Sequence, residues 1–270
     1  MDKTTAPGLA VALGALLMAV ILEGGSPAAL VNLPAALIVF GGCLGVALTS
    51  SPLPVLVGIG KFLPKAFLTK PDDPQALVET FVRLADKARR EGLLALEHEA
   101  DKLDTFTRKG IQLVVDGSDP ALVREVLESE IDAMQRRHRA NYSLLEALGG
   151  YAPTLGIIGT VMGLVNVLSR LEDPSELGHL IAGAFIATLY GVASANLVWL
   201  PLGQKLKHKS GEEAWLRELA VEGILSVQAG DNPRVVRQKL EAQLAPRQRG
   251  GRAPAAASGR AAEQPAAVGG

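Results

Sequence analysis

Apolar residues gather along this chain in four runs, at 9–22, 33–48, 148–168 and 177–202, while charged residues collect between and after them. The third run holds no acidic residue, and no Lys or Arg precedes Arg170. At about 1.5 Å of rise per residue it is long enough to cross a hydrocarbon core of roughly 30 Å. Its glycines at 149, 156 and 163 recur every seven residues, and Gly159 completes a Gly-x-x-x-Gly pair with Gly163. One helix face is thereby nearly bare backbone, and bare faces let helices approach closely. Gly156, Gly159 and Gly163 are the predicted packing positions. Thr154 and Thr160, with Asn166 farther along, suggest a line of oxygen atoms beside that face.

The other runs are read in the same way. The first is bounded by Pro7, Gly8 and Glu23; a cleaved leader is the competing reading, opposed by Asp2 beside Lys3 and by the lack of a clear Ala-x-Ala cleavage site between this run and the next. The second opens with Pro34 in the first turn, where a missing N–H costs little. The segment PLPVLVGIGKFLPKAFL, with Lys61 and Lys65, suits a helix lying along the cytoplasmic membrane surface. Beyond it the pattern is amphipathic and helical: Asp73-Pro74 caps a helix with Leu77, Phe81, Leu84 and Ala88 on one side, and Gly92 and Gly110 offer breaks. Asp119-Pro120 opens another helix, expected to continue through Tyr142 and Leu145 into the third run. After a basic stop, helices are predicted around 212–227 and from Asn232-Pro233. The Ala, Gly, Pro and Arg tail from Pro246 should be disordered.

The predicted fold is all-α, a four-helix integral membrane protein with a helical cytoplasmic domain inserted between membrane helices 2 and 3. Its expected divisions are 1–51 (membrane helices 1 and 2), 52–146 (cytoplasmic insertion), 147–202 (membrane helices 3 and 4), 203–245 (C-terminal cytoplasmic helices) and the 246–270 tail. Charge supplies the orientation. The overall balance, 27 basic against 28 acidic residues, decides nothing, but the distribution does. Residues 23–32 and 171–178 contain no Lys or Arg, whereas 52–146 contain fourteen and 203–270 eleven. Positive segments stay in the cytoplasm, so both termini are expected on the cytoplasmic side of the membrane.

Candidate chemistry is sparse. Cys43 is the one cysteine, so no disulfide framework can form within the chain, and His98, His138, His179 and His208 lack ligand spacing for a metal. No Walker-type loop, GxSxG or HExxH occurs, which points away from an enzyme, and no catalytic residue is assigned. No Asp, Glu, Lys or Arg lies in the middle of any apolar run. A proton or sodium route normally needs such a group, because a naked charge at the bilayer centre costs several kcal/mol. Either the chain conducts nothing, or a partner helix brings the carboxylate and this chain supplies the wall, with Thr160 and Thr188 as wall oxygens. Hydroxyl oxygens would help sodium more than a hopping proton, although threonines in membrane helices often bond their own backbone. Pro153 and Pro201 each delete an intrahelical hydrogen bond and can hinge a helix.

The strings YAPTLGIIGTVMGLV, AFIATLYGVASANLVWLP, ADKARREGLLALE and VEGILSVQAGDNPRVVRQKL closely resemble the motility protein A family (MotA/PomA), the larger subunit of bacterial flagellar stators, over roughly 7–244. The resemblance implies a homopentameric ring around a dimer of a single-span motility protein B type partner that carries the ion-binding aspartate. Lipid would surround the ring, nucleic acid would have no part, and the cargo would be Na+ or H+, with no covalent cofactor. Ion passage would turn the ring, and the insertion would push a rotor switch-complex protein. Residue by residue, the rotor-facing charges map to Arg89, Arg90 and Glu97, the coupling prolines to Pro153 and Pro201, and a sodium-type threonine pair to Thr160 and Thr188. The alternatives are a TolQ/ExbB-like energiser of outer-membrane transport, with three membrane helices, and a non-conducting membrane scaffold.

Overall fold

The computed structural model describes residues 4–68, 73–172 and 174–249, whose regular structure is helical, with no strand among them. Eight helices carry the architecture: α1 (Thr5–Leu22), α2 (Leu33–Ser50), α3 (Leu53–Phe62), α4 (Pro74–Glu91), α5 (Thr105–Val115), α6 (Pro120–Leu168), α7 (174–228) and α8 (Pro233–Ala242). Four of them, α1, α2, α6 and α7, are long and apolar enough to cross a membrane. The predicted disorder of the tail falls mostly on 250–270, outside the described residues.

Helix starts follow the expected chemistry. Asp73 accepts from the Gln75 N–H at 3.0 Å, Asp119 from Ala121 at 2.8 Å, and Asn232 from Arg234 at 3.0 Å, each just before a proline whose missing N–H falls where no helical partner exists. Two stops share a form. Gly117 and Gly230 adopt φ of 76° and 71°, and the residue after each returns its N–H to a carbonyl five positions back, Ser118 to Leu113 and Asp231 to Ser226.

The contacts divide the chain into two compact units. One comprises residues 1–71 and 130–215, and holds α1, α2, α3 and the apolar parts of α6 and α7. Its core joins Cys43 and Ala47 of α2, Phe62 of α3, Leu144, Leu148 and Ala152 of α6, and Ala195 and Leu202 of α7. The other comprises 72–129 and 216–270, with Phe81, Leu84, Leu96, Ile111, Leu127, Leu219, Ile224 and Leu240 fully buried in it.

Two expectations need correction. Gly110 is no break: it lies buried inside α5, where an added Cβ would strike Ile224 Cδ1, so the glycine serves close packing and the stop falls at Gly117. The basic segment 205–209 does not interrupt the chain, since lysine is a good helix former and α7 runs through it to Gln228. The first helix extends beyond its apolar run, starting at Thr5, with Pro7 in its first turn, where no helical partner for an N–H exists.

Candidate functional site

The residues singled out from the sequence fall into two groups, one in each unit. The first is the crossing of α6 and α7. An added Cβ on Gly156 would sit 2.8 Å from the Ala187 carbonyl oxygen, one on Gly159 2.7 Å from Ala187 Cβ, and one on Gly163 2.5 Å from Ala184 Cβ. A Cβ on Gly191 of α7 would collide with the Ala152 carbonyl. All three predicted glycines therefore meet one neighbouring helix at backbone distance. The complementary stripe, Ala184, Ala187, Gly191 and Ala195, escaped the sequence reading; its spacing of three and four in AFIATLYGVASA was the signal available.

Thr160 and Thr188 meet inside this crossing. Their hydroxyls are hydrogen-bonded to each other; Thr160 Oγ1 also lies 3.2 Å from the Gly156 carbonyl and 3.0 Å from the Ala184 carbonyl, and Thr188 Oγ1 lies 3.5 Å from the Gly156 carbonyl. The two hydroxyls and two helix carbonyls, each carbonyl also placed to accept its own helix's amide N–H, make a small polar spot between two otherwise apolar helices. Thr154 and Asn166 do not extend it. Six-residue steps rotate about 120° off one face; both side chains are exposed, and Thr154 donates to its own helix at Tyr151, 2.8 Å away.

Both prolines lie within helical segments. Pro153 is half-buried in α6, one turn after Gly149, whose missing Cβ makes room for Leu200 of α7 at 2.5 Å. Pro201 follows a π-turn at Ala195–Trp199, in which the Leu200 N–H reaches the Ala195 carbonyl, and the Asn196 side chain donates to Val192 at 2.9 Å. The wider turn is how α7 accommodates a residue without an N–H. A third fixture, unforeseen, is Tyr190: its hydroxyl donates to the Leu30 carbonyl and accepts from the Asn32 N–H at 3.2 Å, tying the 23–32 connection to α7.

The second group surrounds the end of α4. Arg89 and Arg90 occupy its last turn and are exposed, and Arg90 pairs with Asp86 at 3.1 Å. Gly92, at φ 85°, reverses the chain into a 3-10 turn, Leu93–Leu96, which leads to the short helix Glu97–Ala100. Leu96 is fully buried, and Arg108 donates to the Ala100 carbonyl at 3.1 Å and the Asp101 carbonyl at 2.7 Å. Glu97 and Arg89 form no ion pair among the described residues. Glu99, which the sequence did not single out, takes Lys87 at 3.1 Å and Lys102 at 3.2 Å. Hydrogen bonds from these two ammonium groups, Lys87 first, hold its carboxyl below the usual carboxylate range. Glu79 is held down likewise by the Arg237 fork.

A helical membrane protein with a close-packed apolar pair and a separate charged unit is the class these features define, and residues 98–219 match the MotA/TolQ/ExbB proton channel family. Motility protein A of Bacillus subtilis is 38% identical over 242 residues, 89% of this chain and 90% of that one. The chemotaxis protein PomA of Vibrio alginolyticus is 39% identical over 244 residues, 90% of this chain and 96% of that protein. A solved structure of the flagellar MotAB stator complex from Bacillus subtilis matches with a TM-score of 0.87 at 37% identity, covering 92% of this chain and 98% of that one; C. jejuni MotAB matches at 0.86 and 28%, covering 91% and 97%. The chain belongs to the motility protein A family, as an inner-membrane subunit of a flagellar stator.

Proposed function

We propose that this chain forms a pentameric ring around a dimer of a motility protein B type partner, and that sodium flow through the complex turns the ring against the rotor. Both termini are then cytoplasmic. The observation that carries the sodium reading is the Thr160–Thr188 pair, which sets two hydroxyl oxygens beside helix carbonyls at a bare-backbone helix crossing. Sodium takes oxygen ligands, and the apolar runs hold no carboxylate, so the partner supplies the charge and this chain the neutral wall. Each ion falling through 100 mV releases about 2.3 kcal/mol. That is enough to bias a small rearrangement, and Pro153 and Pro201 are the coupling points, where the hydrogen-bond ladder is already interrupted.

Arg89, Arg90 and Glu97 are the rotor-facing charges. Each exposed pair they form with a rotor protein contributes about 1 kcal/mol or less, which suits contacts made and released at every step. The ring is tested by co-expressing the chain with its partner and measuring the mass of the purified complex. A pentamer with a dimeric partner is expected; a monomer, or a complex without partner, would contradict it.

A further inference from the structure

The turn between Arg90 and Glu97 carries a feature that charge alone does not account for. Leu94 is 72% exposed, the most exposed large apolar side chain among the described residues of its unit. It is not on a loose loop. Leu96, two residues on, is fully buried, Gly92 sets the reversal, and Glu99 is clamped by Lys87 and Lys102. Arg108 holds the carbonyls that follow. A leucine held outward on a braced turn is presented to something.

The surroundings say what. Arg89, Arg90, Glu91, Glu97 and His98 are all exposed, a setting of mixed charge that fits a protein surface and not lipid tails. Arg90 is already matched by Asp86, and Glu99 is committed to its lysines, so Arg89, Glu91 and Glu97 are the charges left without an ion pair close in sequence to Leu94. An apolar side chain among free charges of both signs is the arrangement of an interface centre with a polar rim.

We propose that Leu94 is the apolar anchor of the rotor-facing surface, entering a hollow on the rotor switch-complex protein whose rim offers a carboxylate to Arg89 and a cation to Glu97. This rests on the reading of Arg89 and Glu97 as rotor contacts. The charges set which face meets which, and the leucine supplies most of the grip, because its burial depends little on salt while exposed ion pairs are screened.

The test uses the full chain with its partner in a strain lacking its own stators, comparing Leu94→Ala, Leu94→Asp, Leu94→Met and the double variant Arg89→Ala/Glu97→Ala. Readouts are membrane assembly, capture of purified rotor protein by the detergent-solubilised complex, and torque at high load. Leu94→Ala should weaken capture about tenfold or more. Leu94→Asp should abolish capture and torque, Leu94→Met should restore both, and assembly should be unchanged in all. If Leu94→Asp captures rotor protein like the parent while the double charge variant fails, the anchor is wrong and the rotor charges stand. If the double charge variant also behaves like the parent, the rotor reading itself falls. Loss of ring assembly in Leu94→Asp would make the leucine a contact between copies of this chain and overturn the proposal.

Discussion

Glu99 shows how one residue's protonation bears on the charged unit. Its carboxyl is held below the ordinary range by Lys87 and Lys102, so the folded state favours the ionised form more than the unfolded chain does. The stabilisation is therefore fully present above the unfolded-state value, about pH 4.3, and is lost as acid carries the pH down through the lower folded value. Glu99→Gln should be less stable than the parent at neutral pH, and the gap should close below pH 4. Chemical denaturation at pH 7 and at pH 3.5 measures it, and an equal gap at both would refute the ion-pair account. The sequence could not show this, because RREGLLALEHE reads as a run of exposed charges. Which carboxylate is paired and which is free depends on the Gly92 turn that brings Glu99 within reach of Lys87.

Elements were easier to read than their joints. The seven-residue recurrence of glycine located the close-packed face of α6 because a bare face has little other use in an apolar helix. It did not say which helix fills that face, and the stripe on α7 that does so is made mainly of alanines, a weaker signal than glycine. Gly110 and Gly117 look alike in sequence, yet one is buried against Ile224 and the other turns the chain at positive φ; only packing separates them. The same distinction makes a prediction for α6. Gly156→Ala places a methyl 2.8 Å from the Ala187 carbonyl and should destabilise the α6–α7 pair by about 1–3 kcal/mol, whereas Gly150→Ala, with nothing within 4 Å, should be neutral. Thermal unfolding of the two purified variants is the comparison. Equal melting temperatures would mean the helices do not meet at this face.

For the whole molecule, four apolar runs predicted four membrane-length helices and the charged stretch between the second and third predicted the helical insertion, because the bilayer sets the length of a span and charge excludes a segment from it. The Asp119-Pro120 start predicts that α6 runs unbroken from the charged stretch into the third run, and it does; the runs could not show that α7 likewise continues past its apolar part to Gln228. A charged residue ends a membrane span without ending a helix. Function was legible chiefly through family resemblance, since the chain's own apolar runs hold no titratable carboxylate.

Sodium-driven rotation is the central claim, and swimming speed tests it most directly. A stator-less strain carrying this chain and its partner would be tracked across sodium concentrations at constant ionic strength and pH, with Thr160→Ala alongside. The account predicts that speed rises and saturates with sodium, and that Thr160→Ala shifts half-saturation to higher sodium. Speed indifferent to sodium but abolished by a protonophore would contradict it, and would leave Thr160 and Thr188 as packing between two helices.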